Sequence, residues 1–344
     1  MSFGSQSTAT EVAVAFGKYI RGKTVLITGV SPESIGEATA HAIASQQPAR
    51  LFLASRTRSN IDSVANNIRA KFPATPLHPL LLDLSSQTSV RQAAAEFNAS
   101  ASKLDILINN AGIMAVAERT LSVDGIELQF ATNHIGHFLF TNLILDKMRV
   151  AAKESEIRGA TRIINISSNG HRFSPVRFND WNFEGKDVPI EQQPDVEKLM
   201  GRIGSINWTN GYEKFVAYGQ SKTANILFSL YLRENLAKDG ILSFSVHPGT
   251  IGTNLIRNMF TDIKKQEAAK LSMRSESLAG SYKSIDGGAS TSIFAAFDQS
   301  LKGTSSIYLE DCSEGTPAPH ANDVTLANKL WTLSETLVSQ EFTL

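Results

Sequence analysis

Among the 344 residues there is one cysteine, Cys312. That excludes an internal disulfide framework and any metal site built on several thiolates. Charge of a dominant sign is missing too: 33 Lys and Arg balance 33 Asp and Glu, and the pI is about 7.1. No broad basic face is therefore expected for nucleic acid or an anionic membrane, although a small basic pocket stays compatible. The opening stretch, "MSFGSQSTATEVAVAFGKYIRGK", has no long apolar core. It is expected to be neither a secretory signal nor a membrane anchor. Repeats and low-complexity linkers are lacking as well. What is present is a chain 42% hydrophobic and 19% charged, enough to bury a sizeable core. The expectation is one domain over 1–344, with 1–22 as an N-terminal extension, in a reducing compartment, the cytoplasm.

Short apolar runs alternate with helix-like stretches. Strands are predicted at 23–28, 50–54, 77–82, 104–109, 161–167, 241–247 and 305–309. Helices are predicted near 35–46, 58–71, 87–100, 125–152, 216–238 and 286–298. Several strands are apolar at consecutive positions, as strands buried on both faces should be. The alternation implies right-handed βαβ units, hence an α/β fold with a mostly parallel sheet between two helical layers. Two segments break the rhythm. Residues 170–213 are irregular and carry Phe173, Phe178, Trp181, Phe183, Trp208 and Tyr212; residues 252–285 carry mixed charge. Both follow carboxyl ends of strands, where ligands bind in open α/β sheets.

The turn "TGVSPESIGE" joins a predicted strand to a predicted helix, the setting of a dinucleotide-binding turn. It lacks the usual middle glycine and holds an acid, Glu33. Gly29 permits a sharp exit from the strand, and Gly36 permits close packing of helix on strand. Ser34 and Glu37 form an S-x-x-E capping box that starts the helix at Ile35. Free amides at such a start suit a phosphate; a capped helix after any strand is the plainer alternative. The second strand runs "RLFLASRTRS" and lacks the acid that would hold an NAD ribose. Ser55, Arg56 and Arg58 stand there instead, which favours NADP(H), since a guanidinium can pair with a 2′-phosphate. A solvated basic turn is the other reading. In "YGQSK", Tyr218 and Lys222 share one helix face, and a nearby cation is expected to lower the phenol pKa.

These motifs have company. The 161–167 strand ends in "NISS", with Ser167 and Ser168; the 104–109 strand ends in "NNAG"; "NHIGHF" holds a polar Asn133; "HPGTIGT" follows the 241–247 strand. In one parallel sheet these places converge on one crevice. Taken in order, the turn, Asp83-Leu84, Asn109-Asn110-Ala111-Gly112, Asn133, Ser168, Tyr218-x-x-x-Lys222 and Pro248-Gly249 resemble the short-chain dehydrogenase/reductase family from about Lys23 onward. "NHIGHFLFT", "YGQSKTANILFSLYL" and "SVHPGT" are most similar to its retinol-dehydrogenase-like and fungal reductase branch.

The resemblance implies a Rossmann-type doubly wound sheet and an NADP(H)-dependent carbonyl–alcohol oxidoreductase. Tyr218 would be the acid/base, Lys222 its electrostatic partner, and Ser168 the substrate-oxygen donor with Ser167 as fallback. Asn133 would support a water-linked proton relay through the lysine. Gly29, Ser31, Ser34, Ile35 and Gly36 would line the phosphates, with Glu33 turned to solvent. Ser55 and Arg56 would take the 2′-phosphate, and Asp83 and Leu84 the adenine. Asn110, Ala111 and Gly112, with Tyr218, Lys222, Pro248, Gly249, Ile251 and Thr253, would line the nicotinamide half. No metal is expected: His134 and His137 are read as packing or capping residues.

The Ser168–Tyr218 spacing is long for the family, so 170–213 is read as an insertion on the substrate side, with 252–285 as a second substrate-side loop. His171, Phe173, Trp208 and Tyr212 are the pocket candidates, for a bulky apolar small molecule. That the aromatics merely pack the insertion onto the domain is the competing reading. Carbon–carbon double-bond reduction and a low-activity NADP(H)-binding sensor stand as alternative functions. Helices 125–152 and 216–238 have apolar surface to spare, which points to a homodimer or homotetramer unless the insertion or the C-terminal segment covers it.

Overall fold

A computed structural model describes residues 2–204, 206–253, 255, 272 and 282–344. The chain opens with α1 (Ala9–Ala15) and a single turn, α2 (Gly17–Ile20). The Thr8 hydroxyl caps the Glu11 amide, and the Glu11 carboxylate returns to the Thr8 amide. The alternation then begins: β1 (Thr24–Thr28), α3 (Ile35–Ala44), β2 (Arg50–Ser55), α4 (Arg58–Lys71), β3 (Leu77–Leu81), α5 (Gln87–Ser100) and β4 (Ile106–Asn109). A short α6 (Leu128–Phe130) runs through a π-turn at Ala131–Ile135 into α7 (Gly136–Glu154), followed by β5 (Thr161–Ile166). Next come α8 (Val196–Ile203), α9 (Lys214–Leu236), β6 (Ile241–His247), α10 (Ile285–Phe297), β7 (Tyr308–Glu310), β8 (Ser313–Glu314) and α11 (Val324–Val338).

The eight strands form one sheet in the order β3-β2-β1-β4-β5-β6-β7-β8. Every pair is parallel except β7–β8. This is the Rossmann-type doubly wound α/β fold. The order reverses between β1 and β4, which opens a crevice above their carboxyl ends. Successive strand residues serve opposite layers. Leu26, Phe52, Leu107 and Ile163 pack with α5, α7 and α9. Val25, Ile27, Leu51, Ile106 and Ile164 pack with α3, α4 and α10. Both faces are covered, so the strands read as continuous apolar runs. Pro79 sits in β3, the edge strand, where its missing N–H is tolerated.

The two ends of the described chain complete the core. α1 packs on α10 through a Phe3, Phe16 and Phe294 cluster and a Thr10–Asp286 hydrogen bond. α11 lies against α9 and the π-turn. Trp331 stacks on Tyr231, with ring centroids 4.0 Å apart, and meets Phe138 edge-on at 4.8 Å. The His134 ring nitrogen Nε2 hydrogen-bonds the Ser334 hydroxyl at 2.8 Å. The spare apolar face of α7 and α9, offered above as a subunit interface, is therefore covered by the chain's own helix.

The 170–213 insertion packs largely inward. Phe183, Leu199, Tyr212, Phe215, Val216 and Ala217 build a third small core with Ala115, while Phe178 and Trp181 lean on the main one. Asn182 ties the insertion to the 119–127 stretch: its Oδ1 accepts the Glu127 amide at 2.7 Å and its carbonyl accepts Arg119 Nε at 2.8 Å. A buried Arg177–Asp180 pair, 3.1 Å apart, holds its own turn. Most of the 252–285 loop lies outside the described residues. Among the described residues, no helix is long and apolar enough to cross a membrane.

Candidate active site

The crevice is a cleft of about 1150 Å³. Strand ends supply its floor: Gly29, Ser31, Ser34 and Ile35 after β1; Ser55, Arg56, Thr57 and Asn60 after β2; Asp83 and Leu84 after β3. Asn110, Ala111 and Gly112 follow β4, Ser167 and Ser168 follow β5, and Pro248, Gly249, Ile251 and Thr253 follow β6. Tyr218 and Lys222 reach in from α9.

The first turn is built by close contact. Gly29 has φ +73° and lies so near Ala111 that a Cβ would fall 2.5 Å from its Cα. Gly36 does not line the cleft. A Cβ there would sit 2.6 Å from the Gly29 carbonyl and 2.8 Å from Asn110 Nδ2, so its task is packing α3 on β1. Ser34 caps the Glu37 amide at 3.1 Å and donates to the Ser31 carbonyl at 2.6 Å. The expected reciprocal half of the box is displaced by one residue: the Glu37 carboxylate accepts the Glu33 amide at 2.7 Å, not that of Ser34. Glu33 takes a left-handed φ of 55°, and its own amide is the one that reaches that carboxylate. Glu33 is exposed and outside the cleft lining. Arg58, offered beside Arg56, pairs instead with Asp62 at 2.9 Å on α4.

Tyr218 is buried and hydrogen-bonded to the Ser168 side chain. A Cβ at Gly170 would lie 2.8 Å from Cε1 of the phenol ring, so the 169–172 turn closes directly over it. Ser167 is spent elsewhere, donating to the Lys222 carbonyl at 2.8 Å. The ordering Ser168 before Ser167 thus has a geometric basis. Burial pushes the Tyr218 phenol up to about 12, partly offset by Ser168. Burial also lowers the Lys222 ammonium to about 7. The expected lowering of the phenol pKa is not found in the protein alone, because burial suppresses the very charge that would produce it. The tyrosine here is a neutral O–H donor.

Asn133 occupies the π-turn, an insertion that aims its groups sideways. Its side chain accepts the Ile113 amide at 2.8 Å and donates to the Ile113 carbonyl at 3.0 Å and to Ser221 at 2.9 Å. Its backbone carbonyl accepts Asn225 Nδ2 at 2.7 Å and His137 Nδ1 at 3.2 Å. At Asn133, where the resemblance implied a water-linked relay, the backbone carbonyl meets the Asn225 amide. Sequence reasoning missed Asn225, although "YGQSKTAN" places it three residues after the lysine on the same helix face. It also missed Thr28, whose hydroxyl accepts the Asn110 and Ala111 amides, each at 3.0 Å, and reaches His137 Nε2 at 2.8 Å.

Of the pocket candidates, only Phe173 lines the cleft. His171 is fully buried: its Nε2 accepts the Ala318 amide at 3.0 Å, so its Nδ1–H donates to the Ser168 carbonyl at 2.6 Å. It braces Ser168 from behind. Tyr212 donates to the Val116 carbonyl and accepts from Gln129, both at 3.0 Å, inside the third core. Trp208 is 44% exposed and stacks on Arg177. The apolar lining that the cleft has instead is Ile113, Met114, Phe173, Phe215, Leu255 and Tyr282. Most of these lie on loops, where no periodicity marks an inward face.

The sequence pattern described as short chain dehydrogenase matches residues 23–178. The chain is 38% identical to the oxidoreductase fscI of Fusarium equiseti over 72% of this chain and 94% of that protein. It is 32% identical to retinol dehydrogenase 12 of Mus musculus over 92% of this chain and 86% of the other. A crystal structure of a Mycobacterium paratuberculosis protein superposes with a TM-score of 0.64 at 27% identity, covering 94% of this chain and 96% of that one.

Proposed function

This chain belongs to the short-chain dehydrogenase family of oxidoreductases, and on that premise we propose that it is an NADP(H)-dependent reductase of bulky apolar ketones or aldehydes. The observation that carries the reading is the Ser168–Tyr218 hydrogen bond beside buried Lys222, at one end of a cleft whose other end presents Arg56. The residues present fit a dinucleotide. Gly29 and Ala111 both line the cleft, and their close contact, which a Cβ at Gly29 would break, keeps its floor free of side-chain bulk. Arg56 stands beside the start of α4, where Thr57 makes no side-chain cap, so no hydroxyl competes with an anion at the helix N-terminus. Arg56, Ser55 and Thr57 would hold a 2′-phosphate, at a strand end that itself carries no carboxylate.

Bound NADPH would supply the hydride. The rest falls to the chain. Ser168 and Tyr218 direct two O–H donors at one point, where a substrate carbonyl oxygen would sit. As charge grows on that oxygen, Tyr218 gives up its proton; Lys222 beside it stabilises the phenolate that remains. Asn133 holds the Ile113 segment that closes the site opposite α9. Ile113, Met114, Phe173, Phe215 and Leu255 offer an apolar wall to the substituents.

The test is loss of nicotinamide absorbance with a panel of bulky ketones, aldehydes and enones, using NADPH and NADH in parallel. Tyr218→Phe should lower kcat by about 10²–10⁴-fold while NADPH still binds. Arg56→Ala should cut the preference for NADPH over NADH by roughly 10–100-fold, the worth of a hydrogen bond to a charged group. Full activity in Tyr218→Phe would overturn the mechanism, and reduction of enones alone would move the activity to double bonds.

A further inference from the structure

Asn225 is 3% exposed and makes no contribution to the cleft lining. Its two amide atoms meet two different parts of the site. Oδ1 accepts from Lys222 Nζ at 3.3 Å, and Nδ2 donates to the Asn133 carbonyl at 2.7 Å. The orientation is fixed by chemistry. An ammonium only donates and a backbone carbonyl only accepts, so the flipped amide would oppose two donors at one end and two acceptors at the other. The Asn133 carbonyl has one further donor, His137. Thr28 Oγ1 already accepts two backbone amides, so its own hydrogen goes to His137 Nε2. The ring proton therefore sits on Nδ1 and points at the Asn133 carbonyl. Both lone pairs of that carbonyl are used. Lys222 Nζ also donates to the Ile166 carbonyl at 2.9 Å. Its third hydrogen is left for the cleft, where Gly112 leaves room: a Cβ there would lie 3.4 Å from Nζ.

We propose that Asn225 is a positioning residue for the reaction, spanning with its amide the gap between Lys222 and Asn133 and so aiming the last ammonium hydrogen into the cleft. The inference rests on the reading of Lys222 as the partner of Tyr218. An amide in this place is rigid where a water would exchange, so the lysine is set by the fold alone.

The direct test follows the Lys222 side-chain resonance in cofactor-free protein carrying isotope-labelled lysine, assigned by its loss in Lys222→Arg. The other titratable groups against Nζ are His137 and Tyr218. With values of about 3 and about 12, they leave the neutral range clear. Asn225→Asp places a carboxylate beside Nζ and should raise the Lys222 midpoint by about 1 pH unit or more. Asn225→Leu removes an acceptor of the ammonium and should lower it. Should the aspartate variant fail to fold, Asn225→Ser, too short to reach Nζ, must lower the midpoint as leucine does. In turnover, Asn225→Leu should reduce kcat about tenfold with little change in substrate KM. Asn225→Asp should move the acidic limb of alcohol oxidation upward, because the added negative charge raises the phenol pKa. Lys222 titrating unchanged in these variants would overturn the proposal, whatever their activities. A wild type that reduces no carbonyl would refute the proposed function and leave the titration result standing.

Discussion

Mild acid should destabilise this protein by protonating buried histidines. His134, His137 and His171 are all neutral in the fold, each lowered to about 3, with burial the largest cause. His137 and His171 also have ring nitrogens that accept hydrogen bonds and so have no place for a second proton. In the unfolded chain each titrates near its ordinary value of 6.5. The unfolded state thus binds more protons once the pH drops below 6.5, and stability falls with it. From pH 7 to pH 5 each histidine costs about 2 kcal/mol, or about 6 kcal/mol for the three.

Two buried carboxyls work the other way, Glu127 and Glu213, each raised chiefly by burial. Glu127 is fully buried and raised to about 7, so it takes up a proton in the fold first and offsets about 2 kcal/mol over the same interval. For the three histidines and Glu127 together the loss is about 4 kcal/mol, against a total stability of about 5–15 kcal/mol for a typical domain. Exposed acids held low, such as Glu184 and Asp195, titrate below this window and do not enter. Urea unfolding at pH 7, 6 and 5 reads the slope directly. His134→Leu, in a site walled by Phe130, Phe138 and Phe228, removes one proton-binding site and should halve the loss to about 2 kcal/mol. Unfolding free energy that is flat or rising from pH 7 to pH 5 would refute the reasoning. An unchanged slope in His134→Leu would remove this histidine from it.

Gly36→Ala drives a methyl into the Gly29 carbonyl and should destabilise by about 1–3 kcal/mol and weaken NADPH binding, measured by thermal shift with and without cofactor. Gly303→Ala, with nothing within 4 Å, is the matched control and should do neither. Because α11 covers the α7–α9 face, the wild type should sediment as a monomer. Trp331→Ala should cost about 3–5 kcal/mol and promote self-association by baring Phe138, Phe228 and Tyr231; a stable wild-type dimer would refute the covering role.

The sheet was readable in the sequence because its strands are buried on both sides. Runs such as Val25-Leu26-Ile27 and Ile163-Ile164 need no alternation to be recognised, and six of the predicted helices match observed ones within a few residues. The strand-end motifs were readable because each is short and local. The apolar lining of the cleft was not. Tyr212 and Phe183 have the composition of a binding pocket, yet they fill the third core; only coordinates tell a ring that faces inward from one that faces a ligand. His171 illustrates the same limit, since its position beside the Ser168 turn is compatible with either role until the Ala318 amide is seen to occupy its second nitrogen. α11 escaped notice although Asp323 caps it at the Leu326 amide, because nothing local says which face of the protein a late helix will cover.

The His134–Ser334 hydrogen bond joins residues two hundred positions apart in the chain. It ends beside Asn133, at the turn that carries the innermost polar network of the site. Strands β1 to β4 could pair while the later chain is still unplaced, but this turn would remain half-dressed, with Phe138 and Phe228 facing water. Contacts of such long sequence separation form late and slowly. Assembly of this protein should therefore pass through a species that has its sheet before its chemistry, and binding competence should be the last property to appear on refolding.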